Sequence, residues 1–366
     1  MTRQGKINFA AARTIAVGFV AALLALVLLA PPPSLAWTVL APYVASALLA
    51  LAFGPYLFVA FGCGWLLLGC LCAAHVAFCA ILVGRIREFN RFGRFARLAR
   101  RVAVAFLAFA SVSALFFESP SVGRCEIHSG KISGVPVRLA VLSDLHSCFY
   151  GKGQRDIVEA VERERPDVVL LVGDIFDDRL PDGNAQTLVK ALAARHPCLY
   201  VTGNHEFWSE RVDAMKSWLR QAGVTVLEGD CRTLVIGGSA IDFCGVDDPT
   251  YLADEWDGQL RRAWAQTDPA HVRVLLTHRP ECAATYGLYG YDLVLAGHAH
   301  GGQWLIPFAG RGCYAPDQGF FPGFAAGRYA LAGGGEMVVS RGLARESTPL
   351  PRFFNRPEFL VVELTR

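Results

Sequence analysis

Charge is what the amino-terminal part of this sequence lacks. From Thr14 to Gly84 there is no Asp, Glu, Lys or Arg, and His75 is the only histidine in that stretch. A helix or strand that is buried on one side keeps a polar face, so an uncharged run of this length excludes an ordinary soluble domain. The first part of the chain is therefore predicted to lie in a lipid bilayer.

The rest of the chain lacks basic runs. Residues 1–118 hold ten Lys or Arg and two Asp or Glu, whereas residues 119–366 hold 25 and 30. The second part is therefore mildly acidic, and it has no stripe in which basic and aromatic residues alternate. A nucleic-acid-binding surface needs such a basic footprint, so we expect no nucleic-acid partner.

The eleven cysteines lack the spacing of a zinc ribbon, since no Cys-x-x-Cys pair occurs. One pair stands out. If Gly237 and Gly238 form a tight hairpin, Cys231 and Cys244 face each other and could form a disulfide in an oxidising compartment. We expect buried free thiols instead, because scattered cysteines usually behave as small apolar residues.

Four membrane-spanning helices are predicted within residues 1–118. A spanning helix needs about 20 apolar residues. The apolar run of residues 37–84 is too long for one span and accommodates two, separated near Gly54 and Pro55. The predicted spans are residues 14–30, 37–55, 57–84 and 102–117.

A basic amphipathic loop connects the third and fourth predicted spans. Residues 85–101 contain seven arginines, and apolar residues recur every three positions from Phe89 to Leu98. This pattern is typical of a segment on an anionic membrane surface. Positively charged loops stay cytoplasmic. We therefore expect a multi-pass protein of the cytoplasmic membrane, with residues 119–366 on the extracytoplasmic side.

The second part of the chain has the pattern of an α/β domain. Short apolar runs alternate with helical stretches, and polar residues follow the runs, where open α/β sheets place their sites. The predicted strands are residues 137–142, 168–172, 199–201, 272–276 and 293–296, and the predicted helices are residues 154–165, 184–195 and 209–222.

Five polar clusters at the ends of these strands predict a metal site. A lone Asp or His after a strand is more often an ordinary polar residue. However, five of the nine histidines fall in the clusters, and Asp and His two positions apart on an extended segment can reach the same ion. The clusters are Ser143-Asp144-Leu145-His146, Gly173-Asp174-Ile175-Phe176-Asp177, Gly203-Asn204-His205-Glu206, Thr277-His278-Arg279 and Gly297-His298-Ala299-His300-Gly301-Gly302-Gln303.

The donor types and their number constrain the chemistry. Asp, His and Asn without Cys favour Mn²⁺, with Fe and Zn²⁺ as alternatives. A carboxylate that bridges two ions forms a two-metal site, which suits in-line displacement at phosphorus. We therefore expect two divalent metal ions as cofactors and a phosphoester as substrate.

The order D-x-H, G-D-x-x-D, G-N-H-E, H and G-H-x-H resembles that of the calcineurin-like metallophosphoesterases. The resemblance runs from about Val137 to the carboxyl terminus and implies an α/β (α+β) fold, a four-layer sandwich of two mixed β-sheets flanked by helices, as the catalytic domain of residues 119–366. Several further segments are similar to a membrane-associated branch of that family. They are residues 245–248, 340–343, 351–353 and 356–358.

The resemblance also implies roles for individual residues. His205 would face the leaving group as general acid or charge stabiliser, oriented by Asp177, while a hydroxide bridging the two metals attacks phosphorus. Arg279 and Arg341 are candidates for phosphate binding, against the alternative that they form ion pairs. One metal would be held by Asp144, His146, Asp174 and His300, and the other by Asp174, Asn204, His278 and His298.

The predicted function is thus a membrane-anchored phosphoesterase acting on phosphomonoester, phosphodiester or pyrophosphate bonds. One alternative is a lipid enzyme similar to UDP-2,3-diacylglucosamine hydrolases, although that substrate forms in the cytoplasm. The apolar loop Phe320–Phe324 would then either contact lipid or pack in the core. Another alternative is a membrane sensor or transporter with an accessory phosphoesterase domain. His75 is the only candidate intramembrane charge and no internal repeat occurs, so an anchor is favoured.

Overall fold

The computed structural model describes residues 120–251, 253–306, 310–345, 352 and 354–366. The predicted spans and the arginine-rich loop of residues 85–101 lie outside these residues. Within the described ranges, no helix is both long and apolar enough to cross a membrane.

Six strands form the first sheet, with strands numbered along the chain. Strands β2, β3, β4 and β5 are parallel to one another. Strand β14 is antiparallel to β2, and β1 is parallel to β14. The sheet is therefore mixed, as predicted. In spatial order the strands are β1 (Ser121–His128), β14 (Glu358–Thr365), β2 (Val137–Leu142), β3 (Val168–Val172), β4 (Cys198–Val201) and β5 (Thr225–Val226).

The second sheet also has six strands and is also mixed. Its four central strands are parallel, and an antiparallel strand flanks them on each side. In spatial order they are β12 (Gly327–Ala330), β13 (Glu336–Val339), β9 (Leu293–Ala296), β8 (Val272–Leu276), β7 (Ser239–Gly245) and β6 (Asp230–Ile236). A separate hairpin consists of β10 (Tyr314–Ala315) and β11 (Gly319–Phe320).

Helices cover the outer faces of both sheets. The helices α1, α2 and α4 share a hydrophobic cluster with the first sheet, and α5 shares another with the second sheet. The α-helices are α1 (Arg155–Glu164), α2 (Gly183–Ala193), α3 (Asn204–Trp208), α4 (Val212–Gln221), α5 (Ala253–Ala265) and α6 (Ala283–Tyr286), and the 3₁₀ turns are Lys152–Gln154, Pro249–Tyr251, Pro280–Cys282 and His300–Gly302.

Strand β3 shows how the layers are held together. Val168, Leu170 and Val172 belong to the core between the two sheets, whereas Val169 and Leu171 belong to the core beneath the helices. Burial on both faces explains why the strand is a continuous apolar run rather than an alternating pattern. The order helix, sheet, sheet, helix confirms the predicted sandwich of two mixed sheets flanked by helices.

The hairpin β6–β7 corrects the expectation of free thiols. Gly237 and Gly238 have positive φ angles of 56° and 81° and turn the chain between the strands. The resulting register places Cys231 directly opposite Cys244, and the two are joined in a disulfide. Direct cross-strand pairing brings the two Cβ atoms close enough for their Sγ atoms to form a disulfide. The sequence spacing alone did not decide whether this bond forms.

Candidate metal centre

The parallel strands of both sheets deliver polar side chains to one edge of the sandwich. We call the loops that follow β2, β3, β4, β7, β8 and β9 the metal edge. Open α/β sheets bind ligands outside the carboxyl ends of their strands, and these loops occupy that position. The predicted site residues on this edge are Asp144 and His146 after β2, Asp174 and Asp177 after β3, Asn204 and His205 after β4, His278 after β8, and His298 and His300 after β9.

Among the described residues, four groups of side chains converge closely enough to bind a cation, and two of them consist of predicted metal ligands alone. In the first, ligand atoms of Asp144, His146 and His300 all lie within 4.8 Å of one another. In the second, ligand atoms of Asp174, His278 and His298 do so. All six residues are buried. The structure thus brings together the residues that the sequence assigned to two separate ions.

Asp174 lies between the two groups. Its Oδ2 atom is 3.1 Å from Nε2 of His278 in its own group and 3.6 Å from Nε2 of His146 in the other. The remaining ring nitrogen of His278, Nδ1, donates a hydrogen bond of 2.9 Å to the carbonyl oxygen of Val172, which makes Nε2 the ring atom that faces a metal. Asp174 is therefore placed to bridge two ions.

Four buried ligand atoms have no hydrogen-bond partner within the part of the chain that the structure describes. They are Nε2 of His146, Oδ2 of Asp174, Oδ1 of Asn204 and Nε2 of His278. A buried polar atom without a partner costs roughly 1–3 kcal/mol. Divalent cations would satisfy all four at once, so these residues fit a dimetal site.

The electrostatics of the centre favour a bound cation as well. Burial alone lowers the pKa of His278, but the carboxylates of Asp174 and Asp144 outweigh it and raise the pKa to about 10. Burial also opposes charge on His146, yet Asp174 and Asp177 raise its pKa. Carboxylates that hold protons on buried imidazoles attract any positive charge, and metal ions can take the place of those protons.

The backbone around the ligands adopts conformations that are rare outside glycine. Asp144, His146, Asp174, His298 and His300 all have positive φ angles, between 47° and 65°. Such residues each cost of order 1–3 kcal/mol and cluster where a site imposes the geometry. The clustering of this strain at the ligands indicates that the fold is organised around the metal centre.

Comparison with known proteins agrees with this geometry. Residues 137–302 match the model of a family described as calcineurin-like phosphoesterase. This part of the chain is similar to that family. Together with the two ligand groups, the match makes the protein a metal-dependent phosphoesterase with a dimetal site, as predicted.

Individual relatives of this phosphoesterase are distant. The uncharacterized metallophosphoesterase YkuE of Bacillus subtilis is 29% identical over 248 residues, which are 65% of this chain and 84% of that protein. Phosphodiesterase YaeI of Escherichia coli is 28% identical over 187 residues, which are 50% of this chain and 67% of that protein. A solved dimetal phosphatase from Danio rerio is 14% identical, covers 56% of this chain and 87% of its own, and has a TM-score of 0.37, too low to carry an argument.

Glu206 holds the loop of the phosphoesterase that carries Asp174. Its buried carboxylate accepts hydrogen bonds from the backbone N–H groups of Asp174, Ile175, Phe176 and Gly203, at distances of 2.8–3.0 Å. Burial and the neighbouring Asp174 raise the pKa of Glu206 to about 7, while the backbone donors act against that rise. Sequence reasoning gave this residue no role, although its position directly after Asn204-His205 was a signal.

His205 has a different partner from the one predicted. Its Nδ1 atom forms a hydrogen bond of 2.6 Å with Oδ1 of Asp178, whereas Oδ2 of Asp177 is 3.7 Å away. Asp177 instead lies 3.2 Å from Nδ1 of His146. The prediction that Asp177 orients His205 is therefore corrected, because the turn after β3 directs the first carboxylate to His146 and the second to His205.

The two candidate phosphate-binding arginines are both engaged in ion pairs. The buried Arg279 places Nε 2.5 Å from a carboxylate oxygen of Asp248, and its Nη1 also contacts Asp317 and lies 3.0 Å from Nε2 of His298. Arg341 is half-buried and its Nε is 3.9 Å from Glu358. Arg279 thus reaches the second ligand group, but in this arrangement its charge is compensated by carboxylates.

Proposed function

We propose that the protein is a membrane-anchored phosphodiesterase that uses two divalent metal ions, Mn²⁺ foremost. The observation that carries the proposal is the position of Asp174 between two buried groups of ligands. Divalent ions at such sites supply Lewis acidity and lower the pKa of the attacking water. Asp, His and Asn donors without sulfur support Mn²⁺, Fe or Zn²⁺ over softer metals.

The residues divide the work according to their geometry. Asp174 would contact both ions and fix their separation. Phosphoryl transfer needs little covalent chemistry from the protein, so positioning and charge stabilisation dominate. Asp144, His146 and His300 would hold one ion, and Asn204, His278 and His298 would hold the other.

His205 is assigned to the leaving group. It is half-buried beside the first ligand group, with its ring centroid 4.3 Å from that of His146. Burial lowers the pKa of His205, and the hydrogen bond to Asp178 acts in the opposite direction. An imidazole in this position can donate a proton to the departing oxygen when it is protonated, or stabilise the charge on that oxygen.

Three features support action on diesters outside the cytoplasm. The relative YaeI is named a phosphodiesterase. The disulfide between Cys231 and Cys244 is of a kind that persists in oxidising compartments. The arginine-rich loop of residues 85–101 independently favours an extracytoplasmic catalytic domain. Basic loops remain cytoplasmic, and the fourth predicted span separates this loop from residues 119–366.

Two substitutions test the site. Asp174→Asn should abolish hydrolysis of bis-p-nitrophenyl phosphate and remove most bound metal, since it weakens a ligand of both ions. His205→Asn should abolish or strongly reduce hydrolysis while the metal content, measured by elemental analysis, stays at two ions per chain. Retained activity in both variants would refute the assignment.

Substrate class and sidedness need separate measurements. The ratio of rates on bis-p-nitrophenyl phosphate and p-nitrophenyl phosphate should favour the diester. Carboxyl-terminal fusions to reporters that function on only one side of the membrane should report an extracytoplasmic domain. A cytoplasmic result would contradict the proposed topology but not the proposed chemistry.

A further inference from the structure

Exposed aromatic side chains concentrate on the metal edge. Among the described residues, the large aromatic side chains with high exposure all belong to segments that follow the carboxyl ends of strands. Phe149 follows β2, Trp208 ends α3 after β4, and Tyr314, Phe320 and Phe321 belong to the β10–β11 hairpin, which follows β9. Phe320 and Phe321 are the most open of them, with 77% and 64% exposure.

The exposed aliphatic side chains mark the opposite edge. Val135 precedes β2, Val235 adjoins the turn that leads into β7, and Leu288 precedes β9. All three therefore lie near the amino ends of the parallel strands. Isolated exposed aliphatic residues are ordinary, but aromatic residues gathered on one edge indicate an interaction surface.

The chain enters the domain on this same metal edge. Ser121, the first residue of β1, pairs with Glu358, the first residue of β14. Since β14 is antiparallel to β2 and Leu360 pairs with Val141, the start of β1 lies beside the end of β2, which Asp144 follows. The first strand thus begins where the metal ligands are.

The length of chain before β1 restricts where a membrane can be. The last predicted span ends at residue 117, and β1 begins at Ser121. Four residue steps of extended chain reach at most about 14 Å. The connection between the predicted span and β1 is therefore short.

We propose that the metal edge docks on a lipid bilayer through the hairpin of residues 313–321, so that the substrate is a phosphoester carried at the bilayer surface. The substrate part of this inference rests on the proposed function. Aromatic rings favour the interface between headgroups and acyl chains, which suits Tyr314, Phe320 and Phe321.

The hairpin also connects the lipid-facing rings to the metal centre. The rings of Tyr314 and Phe320 are in contact, with centroids 5.5 Å apart, and the backbone N–H of Phe321 donates to the carbonyl of Cys313. At the turn of the same hairpin, Asp317 places Oδ2 2.9 Å from Nε2 of His298. A hairpin seated in the interface therefore holds a metal ligand next to the headgroups.

Photocrosslinking of the full chain in vesicles tests the docking without requiring turnover. The photoreactive amino acid p-benzoylphenylalanine is incorporated in place of Phe320, and in a matched control in place of Val235, which is comparably exposed on the opposite edge. Both proteins are reconstituted into phosphatidylcholine–phosphatidylglycerol vesicles and irradiated. We expect lipid adducts at position 320 and few at position 235. Equal labelling at both positions, no lipid adduct at 320, or crosslinks from 320 to a second copy would overturn the proposal.

A pair of substrates with the same leaving group tests the substrate class. Methyl p-nitrophenyl phosphate is water-soluble, whereas hexadecyl p-nitrophenyl phosphate is held in the vesicle. We expect a higher kcat/KM for the hexadecyl ester, and the double variant Phe320→Ser/Phe321→Ser should lower the ratio of the two values by about tenfold, because burial of each ring contributes to docking. The double variant Val135→Ser/Val235→Ser is the control and should leave the ratio as it is.

The outcomes separate the two proposals. Hydrolysis of the methyl ester without preference for the vesicle-bound ester, or a ratio that the phenylalanine substitutions do not change, overturns the lipid inference and leaves the phosphodiesterase standing. Absence of hydrolysis of both esters overturns the proposed function. In that case the lipid adducts at positions 320 and 235 still test whether the metal edge docks on the bilayer.

Discussion

The carboxylate of Asp317 lies 2.9 Å from Nε2 of His298, although the two residues belong to different segments of the metal edge. A carboxylate can only accept a hydrogen bond, so Asp317 pairs with Nε2 of His298 in the tautomer that carries its proton there and leaves Nδ1 for the metal. Partners of this kind fix the tautomer and orientation of metal-binding histidines. Asp317 therefore positions a ligand of the second ion.

Replacing Asp317 should accordingly weaken metal binding. Asp317→Asn keeps the volume but removes the charge, and loss of such a partner typically lowers metal affinity by about 10- to 100-fold. Titration of the metal-free protein with Mn²⁺, followed by calorimetry, measures the change. The exposed Asp213→Asn is the matched control. Equal affinities for the two variants would show that Asp317 does not orient His298.

Gly203 should tolerate no side chain. A Cβ atom at this position would lie 2.3 Å from Oδ1 of Asp174, a distance that real Cβ atoms do not reach. Gly203→Ala should therefore displace Asp174 and reduce both bound metal and activity at least tenfold, whereas Gly183→Ala, which has open space around it, should have little effect. Metal content and initial rates of both variants check this expectation.

Glu206 should be essential for stability as well as for the site. In Glu206→Gln the amide nitrogen would face backbone N–H groups that now donate to a carboxylate, which leaves buried donors without partners. We expect a loss of about 2–4 kcal/mol in the free energy of unfolding. For a domain of this size the melting temperature should fall by roughly 4–12 °C. A variant of the exposed Glu210, Glu210→Gln, should melt like the parent protein.

Asp242 should make stability depend on pH. Burial opposes its charge, but hydrogen bonds from the backbone of Asp268, from Thr233 and from His271 outweigh burial and lower the pKa of Asp242 in the folded state. A carboxyl group with a lowered folded pKa stabilises the fold above its unfolded pKa of about 3.9, and this contribution is lost as the pH falls through the folded pKa.

The variant Asp242→Asn isolates that contribution. Its melting temperature should be lower than that of the parent at pH 7, and the difference should shrink below about pH 4. Because Asp242 lies in the middle of β7 and its hydrogen-bond partners Asp268, Thr233 and His271 are not metal ligands, bound metal should be unaffected. A difference that stays constant from pH 7 to pH 3 would show that the carboxylate charge is not what stabilises this position.

The parts of the fold that the sequence predicted are those with local signals. Strands such as Val168–Val172 are buried on both faces and read as uninterrupted apolar runs. The metal ligands were predicted because each follows such a strand within a few residues. Helix α5 was missed, since Gly258 and several polar residues weaken its apolar pattern.

The parts that were not predicted depend on contacts between distant segments. Strands β1 and β14 pair although more than 200 residues separate them in the sequence. Asp317 is not part of any of the five polar clusters, and only the folded hairpin brings it close to His298. The choice between Asp177 and Asp178 as partner of His205 depends on how the chain bends after β3, which two adjacent carboxylates do not reveal.

The place of β14 between β1 and β2 restricts when the enzyme can mature. During synthesis β14 is made after the other five strands of the first sheet, so this sheet cannot close until residues 358–365 have left the ribosome. Strand β2, which leads into the loop with Asp144 and His146, already pairs with β3 but gains its second neighbouring strand only then. Acquisition of metal by this loop is thus a late event that requires β14 to have been synthesised and placed in the sheet.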